Sequence, residues 1–210
     1  MIATRRVAIE RVREAAAHIY RVAIRTPLVR LDVSGPAELY LKLETLQPIG
    51  SFKIRGAYNA VRQLSGAELA QGVWTVSAGN AAQGVALAAR TVGARCAVLV
   101  MDTAPATKIA AIERLGATIV RAPYEECWRT VETHAHPRMP GVFVHPFDDD
   151  RFIAGNGTIA LEILEDLPDV DAVVVPVGGG GLAAGVAGAL RALRPSARVV
   201  AAEPETAAPL

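Results

Sequence analysis

The sequence predicts an α/β fold built around parallel strands, and two features of its patterning lead to that prediction. From about residue 73 onward, short strand-like segments alternate with helix-like segments, which is typical of parallel βαβ units. The segment AVVVPV at 172–177 is apolar on both faces, as expected of a strand in the middle of a sheet that helices cover on both sides. The chain of 210 residues is 51% hydrophobic, which is enough apolar material for one large domain or two small ones.

The first part of the chain is predicted to form two helices and a strand. Apolar residues recur at helical spacing over 7–22, and the helix that they predict ends before Pro27. Residues 38–44 alternate polar and apolar side chains like a half-buried strand, which the turn residues of 47–50 end. A second helix is predicted over 52–64.

The remaining segments are predicted to alternate between strands and helices. The strands are expected over 73–76, 96–101, 118–121, 172–177 and 198–202, and the helices over 81–91, 108–115, 153–167 and 182–193. Pro137, Pro140 and Gly141 mark a loop rather than a linker long enough to separate independent domains.

Charge and composition narrow the classes of partner. The 22 basic and 21 acidic residues are scattered along the chain, so no basic block is available for nucleic acid, and a small molecule is the expected partner. No segment reaches the roughly 20 apolar residues that cross a membrane, and the N-terminus lacks the pattern of a secretory leader, so a cytoplasmic protein is expected. Cys96 and Cys127 lie too far apart for a CxxC redox pair or a metal framework.

A run of four glycines, Gly178, Gly179, Gly180 and Gly181, stands between the apolar strand and the helix that follows it. Glycines at such a junction let backbone N–H groups point into one concavity, and the helix N-terminus adds positive partial charge, which favours a phosphate. The run fits neither a Walker loop nor a dinucleotide fingerprint, because no lysine follows it and Glu203 lies in a terminal strand. The alternative interpretation is a flexible turn.

A second segment with chemical potential is SFKIRGA, in which Lys53 lies at the entry to a predicted helix. A lysine beside an aromatic side chain such as Phe52 in an apolar pocket loses ammonium solvation, which lowers its pKa and frees the amine to form an imine. The alternative is a solvated lysine in the first helical turn.

The third segment, SAGN, again follows a strand end and opens a helix. Its hydroxyl and backbone N–H groups suit a substrate carboxylate, and the amide of Asn80 can bond to a cofactor oxygen. Asn80 is also a good helix N-cap, and that structural role would explain the segment equally well.

Together these three segments, in this order and spacing, resemble the fold-type II enzymes that use pyridoxal 5′-phosphate (PLP), in the branch of threonine dehydratase (threonine ammonia-lyase) and serine racemase. The resemblance covers the whole chain, and further matching segments are RTPL at 25–28, KLE at 42–44, HPFDD at 145–149, AGNGT at 154–158 and VGGGGL at 177–182. It implies a tryptophan synthase β-like architecture with two open parallel-sheet domains. The larger, PLP-binding domain would comprise 1–66 and 150–210, and the smaller domain, which closes over the substrate, would comprise 67–149.

The resemblance also implies a role for each site residue. Lys53 would carry PLP as a Schiff base and later remove the Cα proton, while Phe52 packs near the ring and Asn80 bonds to the ring hydroxyl. The phosphate would be held by Gly178, Gly179, Gly180, Gly181 and Leu182, and the substrate carboxylate by Ser77, Ala78, Gly79, Asn80 and Ala81.

The implied reaction is the PLP-dependent β-elimination of L-threonine, L-serine or a related β-hydroxy amino acid to a 2-oxo acid and ammonia, in a homodimer or homotetramer. Racemases of this branch carry a serine at the position of Ala78 to reprotonate the opposite face of the substrate, and alanine has no proton to give. Enzymes of β-replacement tend to have TSGN-like loops instead. A serine racemase, a β-replacement enzyme and an inactive remnant or partner-binding scaffold remain as alternatives.

Two departures from the family pattern bear on the substrate. Ala81 stands where the family usually has a histidine, and Asn156 stands where it usually has a glutamine. Removing an imidazole beside the carboxylate loop is expected to enlarge the pocket, so a bulkier β-hydroxy amino acid is a hypothesis for the substrate.

Two further expectations concern the end of the chain. Glu203 matches a glutamate that binds a divalent cation in some relatives, and Ala207 matches a backbone-carbonyl ligand, whereas Pro209 replaces an acidic ligand, which weakens a site for Mg²⁺ or Ca²⁺. Glu203 as an ordinary surface carboxylate is the alternative. Because family members continue for about another domain's worth of chain, the larger domain is expected to be incomplete at its C-terminus.

Overall fold

A computed structural model describes residues 7–207 of the chain. The predicted α/β class is confirmed, because helices alternate with strands that pair in parallel. Pro209, the residue expected to replace an acidic metal ligand, lies outside the described residues.

The elements follow one another along the chain much as the patterning predicts. The helices are α1 (Ile9–Ile19), α2 (Lys53–Val61), α3 (Gly66–Gln71), α4 (Asn80–Thr91), α5 (Ala106–Glu113), α6 (Tyr124–Thr133), α7 (Asp150–Asp166) and α8 (Gly181–Leu193). The strands are β1 (Leu28–Arg30), β2 (Tyr40–Lys42), β3 (Val73–Val76), β4 (Cys96–Met101), β5 (Thr118–Ala122), β6 (Val142–Phe143), β7 (Ala172–Pro176) and β8 (Arg198–Ala202). Two short 3-10 helices cover Glu44–Leu46 and Glu205–Ala207.

The largest sheet of the described region has four parallel strands in the order β5-β4-β3-β6. Every residue of β3 is buried, and β3 and β4 have the bounds that the sequence predicts. Helix α4 connects β3 to β4 and packs its alanine-rich, buried face against the sheet and against α2. The carboxyl end of β3 therefore lies next to the start of α4, where the SAGN loop stands.

A separate two-stranded parallel sheet is formed by β7 and β8. The prediction that 172–177 lies in the middle of a covered sheet is wrong for the described residues, because β8 is the single neighbour of β7 there. Val175 is 3% exposed and packs with the residues of α7 and α8, whereas Val174, on the opposite face, is 65% exposed. One apolar face of this sheet is thus open.

The third sheet is a short antiparallel hairpin of β1 and β2. The strand predicted over 38–44 is reduced to Tyr40–Lys42, and the sequence pattern does not predict its partner β1. Among residues 7–207, every helix is too short or too polar to span a bilayer.

The helices α2 and α7 cross in close contact at the centre of the molecule. A Cβ atom at Gly155 would lie 2.4 Å from the carbonyl oxygen of Arg55, and one at Gly56 would lie 2.3 Å from the ring of Phe152. Only glycine permits this approach at either position, because a methyl group would overlap the opposite helix. The crossing fixes the first turn of α2, and therefore Lys53, between α7 and α4.

Candidate active site

Lys53 is the first residue of α2, and its side chain points into a half-buried environment made of uncharged groups. The Nζ atom donates a hydrogen bond of 2.7 Å to the carbonyl oxygen of Pro146. The ring centroids of Phe52 and Phe152 each lie 5.4 Å from Nζ. Burial lowers the pKa of the Lys53 amine from its ordinary value to about 8. A larger fraction of this amine is therefore neutral near pH 7 than is usual for lysine.

The chain contains three lysines, and their surroundings separate them chemically. The Nζ atom of Lys42 forms an ion pair with Glu162, at 2.6 Å from a carboxylate oxygen. Lys108 is exposed on α5. Lys53 alone combines burial with neutral partners, so among the three it is the amine best suited to form an imine.

Arg55, two residues beyond Lys53, anchors the first turn of α2 through a buried guanidinium. Its side chain is 0% exposed and bonds to both oxygens of Glu44, at 2.8 and 2.7 Å, and to both oxygens of Glu162, at 2.5 and 3.0 Å. Further bonds join it to the hydroxyl of Thr158 and the carbonyl oxygen of Ile24. The bonds of this cluster connect α2 to α7 and also to Ile24 and Glu44, which precede α2 in the chain.

Lys42 completes the cluster and balances its charge. Its ammonium pairs with Glu162 and donates to the carbonyl oxygen of Thr26 at 2.5 Å. Two cations, Arg55 and Lys42, thus face two carboxylates, Glu44 and Glu162, inside the protein. The KLE and SFKIRGA segments stand out in the sequence, but they predict no role for these charges, because the balance is visible only when distant segments are brought together.

The SAGN loop joins β3 to α4. Asn80 is the first residue of α4 rather than its N-cap, and Gly79 occupies the cap position without a side-chain cap bond, so the N-cap interpretation of Asn80 is wrong. The Gly79 N–H donates to Ser77 Oγ at 3.1 Å. The backbone N–H groups of Ala78, Asn80 and Ala81 donate no hydrogen bond within the described residues. These donors at a helix N-terminus can receive a carboxylate.

Helix α4 carries this loop against the backbone of Lys53. Gly84, one turn beyond Asn80, lies so close to α2 that a Cβ atom there would be 3.1 Å from the Lys53 carbonyl oxygen. The contact brings the SFKIRGA and SAGN segments to one place. The Asn80 side chain is exposed and makes no hydrogen bond with the described residues, so its amide is free to bond to a ligand.

The glycine run leads from β7 into α8. Gly180 has a φ of 78°, in the left-handed region that favours glycine, and it is the N-cap of α8. Within the described residues, the N–H groups of Gly178 through Leu182 donate no hydrogen bond. A 13-residue helix directs its positive end at the same place, so the loop has the donors and the polarity that a phosphate requires.

Segment 145–149, with the sequence HPFDD, connects the lysine to the glycine run. The Pro146 carbonyl oxygen accepts the bond from Lys53, and the ring of Phe147 lies against Gly179, where a Cβ atom would be 2.3 Å from Cγ of Phe147. The Phe147 carbonyl oxygen packs closely on Gly181, at 2.4 Å from a Cβ placed there. In the sequence this segment supports the family resemblance but predicts no structural role.

The residues present fit PLP. An aldehyde needs a neutral amine, which burial supplies at Lys53, and a phosphate dianion needs clustered N–H donors, which the run Gly178–Leu182 supplies. Phe52 lies beside the amine, where an aromatic ring system can pack. No charged side chain is required for this arrangement.

The departure at Asn156 has a structural counterpart. Asn156 lies in α7 with 0% exposure, and neither its Oδ1 nor its Nδ2 atom has a hydrogen-bond partner among the described residues. The family's usual glutamine is one methylene longer, so the shorter side chain has a smaller reach towards polar partners.

The two residues expected to bind a cation, Glu203 and Ala207, lie near the end of the described region. Glu203 follows β8, and its buried Oε2 atom has no hydrogen-bond partner in the described region. Ala207 closes the 3-10 helix that follows. Residues 7–207 contain no cluster of three side chains able to hold a metal ion, so cation binding at Glu203 and Ala207 stays a prediction.

The similarity of this chain to known proteins agrees with the geometry. A family model described as "Pyridoxal-phosphate dependent enzyme" matches residues 19–210. The chain is 45% identical over 209 residues to an L-threonine ammonia-lyase of Thermotoga maritima, covering 95% of this chain and 51% of that protein. It is 43% identical over 192 residues to a β-hydroxyaspartate dehydratase of Paracoccus denitrificans, covering 90% of this chain and 60% of that protein.

Among solved structures, that of maize serine racemase superposes with a TM-score of 0.86 at 37% identity, over 96% of this chain and 62% of that chain. The chain therefore spans between about half and three fifths of the length of these relatives.

Proposed function

The chain belongs to the family of pyridoxal-phosphate dependent enzymes and has their type II fold, and from this premise we propose that it serves the β-elimination of a β-hydroxy amino acid. L-Threonine, L-serine or a related substrate would lose its β-hydroxyl group and yield a 2-oxo acid and ammonia. The observation that carries the proposal is a buried amine of lowered pKa, Lys53, placed between two loops with free backbone donors.

Lys53 is proposed to attach the cofactor and to move the Cα proton of the substrate. PLP, when bound, supplies a conjugated ring that delocalises the negative charge left at Cα. Nζ of Lys53 is suited to accept that proton because burial keeps a larger share of the amine neutral than in an ordinary lysine, and it can return the proton at a later step. The Pro146 carbonyl oxygen, which accepts from Nζ, orients the amine.

The two loops are proposed to hold the anionic groups. The N–H groups of Gly178 through Leu182 would bind the phosphate, and those of Ala78, Asn80 and Ala81 would bind the substrate carboxylate, with Ser77 and Gly79 shaping the loop. The Asn80 amide is free to bond to the ring hydroxyl. Since α4 and its loop belong to the region of the four-stranded sheet, we also propose that 67–149 closes over the substrate as the smaller domain, against 1–66 and 150–210.

Ala78 favours elimination over racemisation. Reprotonation from the face opposite Lys53 needs a second proton donor, and a methyl group at this position in the carboxylate loop has none. Racemisation remains the second candidate because serine racemases are among the similar proteins. The oligomer expected for either enzyme is a homodimer or homotetramer.

The size of the preferred substrate depends on Ala81. The residue is buried in the first turn of α4, 5% exposed, next to the proposed carboxylate donors. We propose that its small side chain leaves room for a β-substituent larger than that of threonine. Turnover of phenylserine at a rate at least comparable to that of threonine is the expected result; good turnover of threonine with none of phenylserine would contradict it.

The proposed reaction is tested by incubating the purified chain and PLP with L-threonine or L-serine in D₂O. Release of a 2-oxo acid and ammonia, absent in Lys53→Ala, is the expected result. Exchange of the Cα proton for deuterium with formation of the D-amino acid, and no 2-oxo acid, would favour racemisation. If neither occurs although PLP is bound, this chain acts as a cofactor-binding scaffold and the proposal of turnover fails.

A further inference from the structure

One histidine organises the turn that joins Lys53 to the glycine run. His145 is 5% exposed, and its Nδ1 atom accepts the backbone N–H of Asp148 at 2.8 Å and that of Phe147 at 3.3 Å. A ring nitrogen accepts a hydrogen bond only while it carries no proton. The observed turn therefore requires an unprotonated Nδ1.

The two residues that follow His145 both contact the proposed cofactor site. Pro146 presents its carbonyl oxygen to Lys53 Nζ at 2.7 Å. Phe147 covers Gly179 with its ring and Gly181 with its carbonyl oxygen. A change in the path of this turn would thus move both the Pro146 carbonyl oxygen that accepts from Lys53 and the Phe147 side chain that packs on the glycine run.

Aromatic side chains hold the imidazole ring of His145 in place. The ring of Phe147 meets it edge to face with centroids 4.6 Å apart, and the rings of His134 and Phe143 lie at 5.0 and 5.6 Å. Because these neighbours restrict rotation of the imidazole, the ring cannot readily flip to place Nε2, instead of Nδ1, against the N–H groups of Phe147 and Asp148.

We infer that His145 is a positioning residue of the site: its unprotonated Nδ1 fixes the 145–149 turn, which places Pro146 against Lys53 and Phe147 against the phosphate-binding glycines. The inference rests on the proposed function, because the turn matters for chemistry only if Lys53 and the glycines bind PLP. His145 itself touches neither substrate nor cofactor and acts through its two neighbours.

Acid should therefore weaken the site. Burial lowers the pKa of His145, and the nearby charge of His134 lowers it further, whereas Asp148, Asp149 and a backbone hydrogen bond with Val131 act in the opposite direction. Proton uptake at Nδ1 would replace an acceptor by a donor and leave the N–H groups of Phe147 and Asp148 without their partner. The turn is expected to hold at neutral pH and to loosen as the pH falls below the range of an ordinary histidine.

The test compares His145→Asn, His145→Ala and a remote control in the whole chain. An asparagine carboxamide oxygen can take the place of Nδ1 as an acceptor and does not titrate in this range. His136→Asn is the control, because His136 is also buried but bonds to Glu126 outside the turn. The first readout needs no cofactor: acetylation of Lys53 relative to exposed Lys108, followed over pH by peptide mass mapping.

In wild type, in His145→Asn and in His136→Asn, the reactivity of Lys53 should follow a pKa of about 8; in His145→Ala it should move towards the ordinary value of 10.5. The second readout is PLP affinity by absorbance. His145→Ala should weaken it about tenfold at pH 7.5 and His145→Asn much less. Between pH 7.5 and 5.5 the wild type should lose at least about threefold more affinity than His145→Asn, with His136→Asn following the wild type.

Equal Lys53 reactivity in the wild type and a folded His145→Ala would overturn the inference. So would parallel pH profiles of PLP affinity in the wild type and His145→Asn, which decide the matter even if His145→Ala fails to fold. Failure of the proposed function gives a different result: no variant binds PLP, while the reactivity of Lys53 still responds to His145.

Discussion

Lys53 differs from an ordinary lysine because its ammonium is removed from water without receiving a charged partner. Its hydrogen bond to a peptide carbonyl and its two aromatic neighbours solvate a cation poorly. The protein therefore carries an energetic cost at this position, which the lowered pKa reflects. Such a cost at a reactive amine is typical of a functional group rather than of a group that stabilises the fold.

Replacing Lys53 by methionine should accordingly stabilise the protein without cofactor. At pH 7 the gain in the free energy of unfolding is expected to be up to about 3 kcal/mol, because the lowered pKa corresponds to a penalty on the buried ammonium. The penalty is present in full below the folded pKa of about 8 and vanishes as the pH rises towards the ordinary 10.5, so the gain should shrink over that range. Urea denaturation at pH 7 and pH 10 measures it.

The matched control is Lys108→Met on the surface of α5, for which a change within about 0.5 kcal/mol is expected at either pH. A Lys53→Met protein less stable than the wild type at pH 7 would show that the buried amine is well accommodated and carries no such cost.

The glycine run offers a second pair of matched substitutions. A methyl group at Gly179 would lie 2.3 Å from Cγ of Phe147, so the loop or the ring would have to shift, whereas a Cβ atom at Gly178 meets nothing within 4 Å. Gly179→Ala should weaken PLP binding by about tenfold or more, and Gly178→Ala should change it by less than about threefold. Absorbance titration with PLP compares the two. Equal affinities would mean that the packing of Phe147 on the run does not shape the proposed phosphate site.

On the scale of elements, the position of α2 depends on the buried ionic cluster of Arg55, Lys42, Glu44 and Glu162. Burial alone would raise the pKa of Glu162, but its bonds to Arg55, Lys42 and Tyr20 hold it below the usual range. A carboxylate with a lowered pKa stabilises the fold above its unfolded pKa, and this contribution is lost as the pH falls through the folded pKa. The tie between α2 and α7 should weaken in acid.

Arg55→Met tests this tie. Removing the guanidinium leaves the buried Glu162 with Lys42 as its remaining cation and removes the ion pair of half-buried Glu44, so the free energy of unfolding should fall by about 3–5 kcal/mol at pH 7. The loss should narrow as the pH is lowered and Glu162 becomes protonated. Chemical denaturation at several pH values measures both effects. Arg62→Met, just past the end of the same helix, is the control: Arg62 pairs with an exposed glutamate, and its loss should cost less than about 1 kcal/mol. Similar losses for the two variants would contradict a special role of the cluster.

Local pattern predicts most of the strands and helices, but it does not predict β1, β6 or the short helix α3. The bounds of β3, β4 and β8 agree with the prediction, because each is a continuous apolar or alternating run closed by turn residues. β6 has two residues and β1 has three, lengths at which no periodicity can be recognised, and both exist because a neighbouring strand pairs with them. The exposed face of β7 could not be predicted either. The reason is different: an apolar run does not show whether other residues cover it.

On the scale of the whole molecule, one part of the candidate site could be predicted from the sequence and another part could not. Lys53, the SAGN loop and the glycine run could be singled out because each has a local chemical pattern at a strand or helix end. The roles of the ionic cluster and of the 145–149 turn could not be predicted, because their bonds join residues far apart in sequence: 93 residues separate Lys53 from Pro146, and 107 separate Arg55 from Glu162.

The open face of the β7–β8 sheet should govern association of the chain. Val174 and Val200 are paired across the two strands, 65% and 44% exposed, and apolar surface of this kind favours self-association. The double substitution Val174→Thr and Val200→Thr should lower concentration-dependent association, measured by light scattering, with little change in the melting temperature. Val175→Thr, on the packed face, should leave association unchanged and cost about 1–3 kcal/mol of stability. Unchanged association of the double variant would show that another surface mediates it.

The central claim is that this chain binds PLP covalently through Lys53, and the most direct measurement is borohydride reduction of the chain after incubation with PLP, followed by peptide mass mapping. With three lysines in the chain, each modified peptide identifies its site without ambiguity. We predict an absorbance band near the visible edge and cofactor mass on the Lys53 peptide, with Lys108 unmodified and both signals absent in Lys53→Ala. Equal labelling of Lys108 and Lys53, or labelling that persists in Lys53→Ala, would contradict the claim.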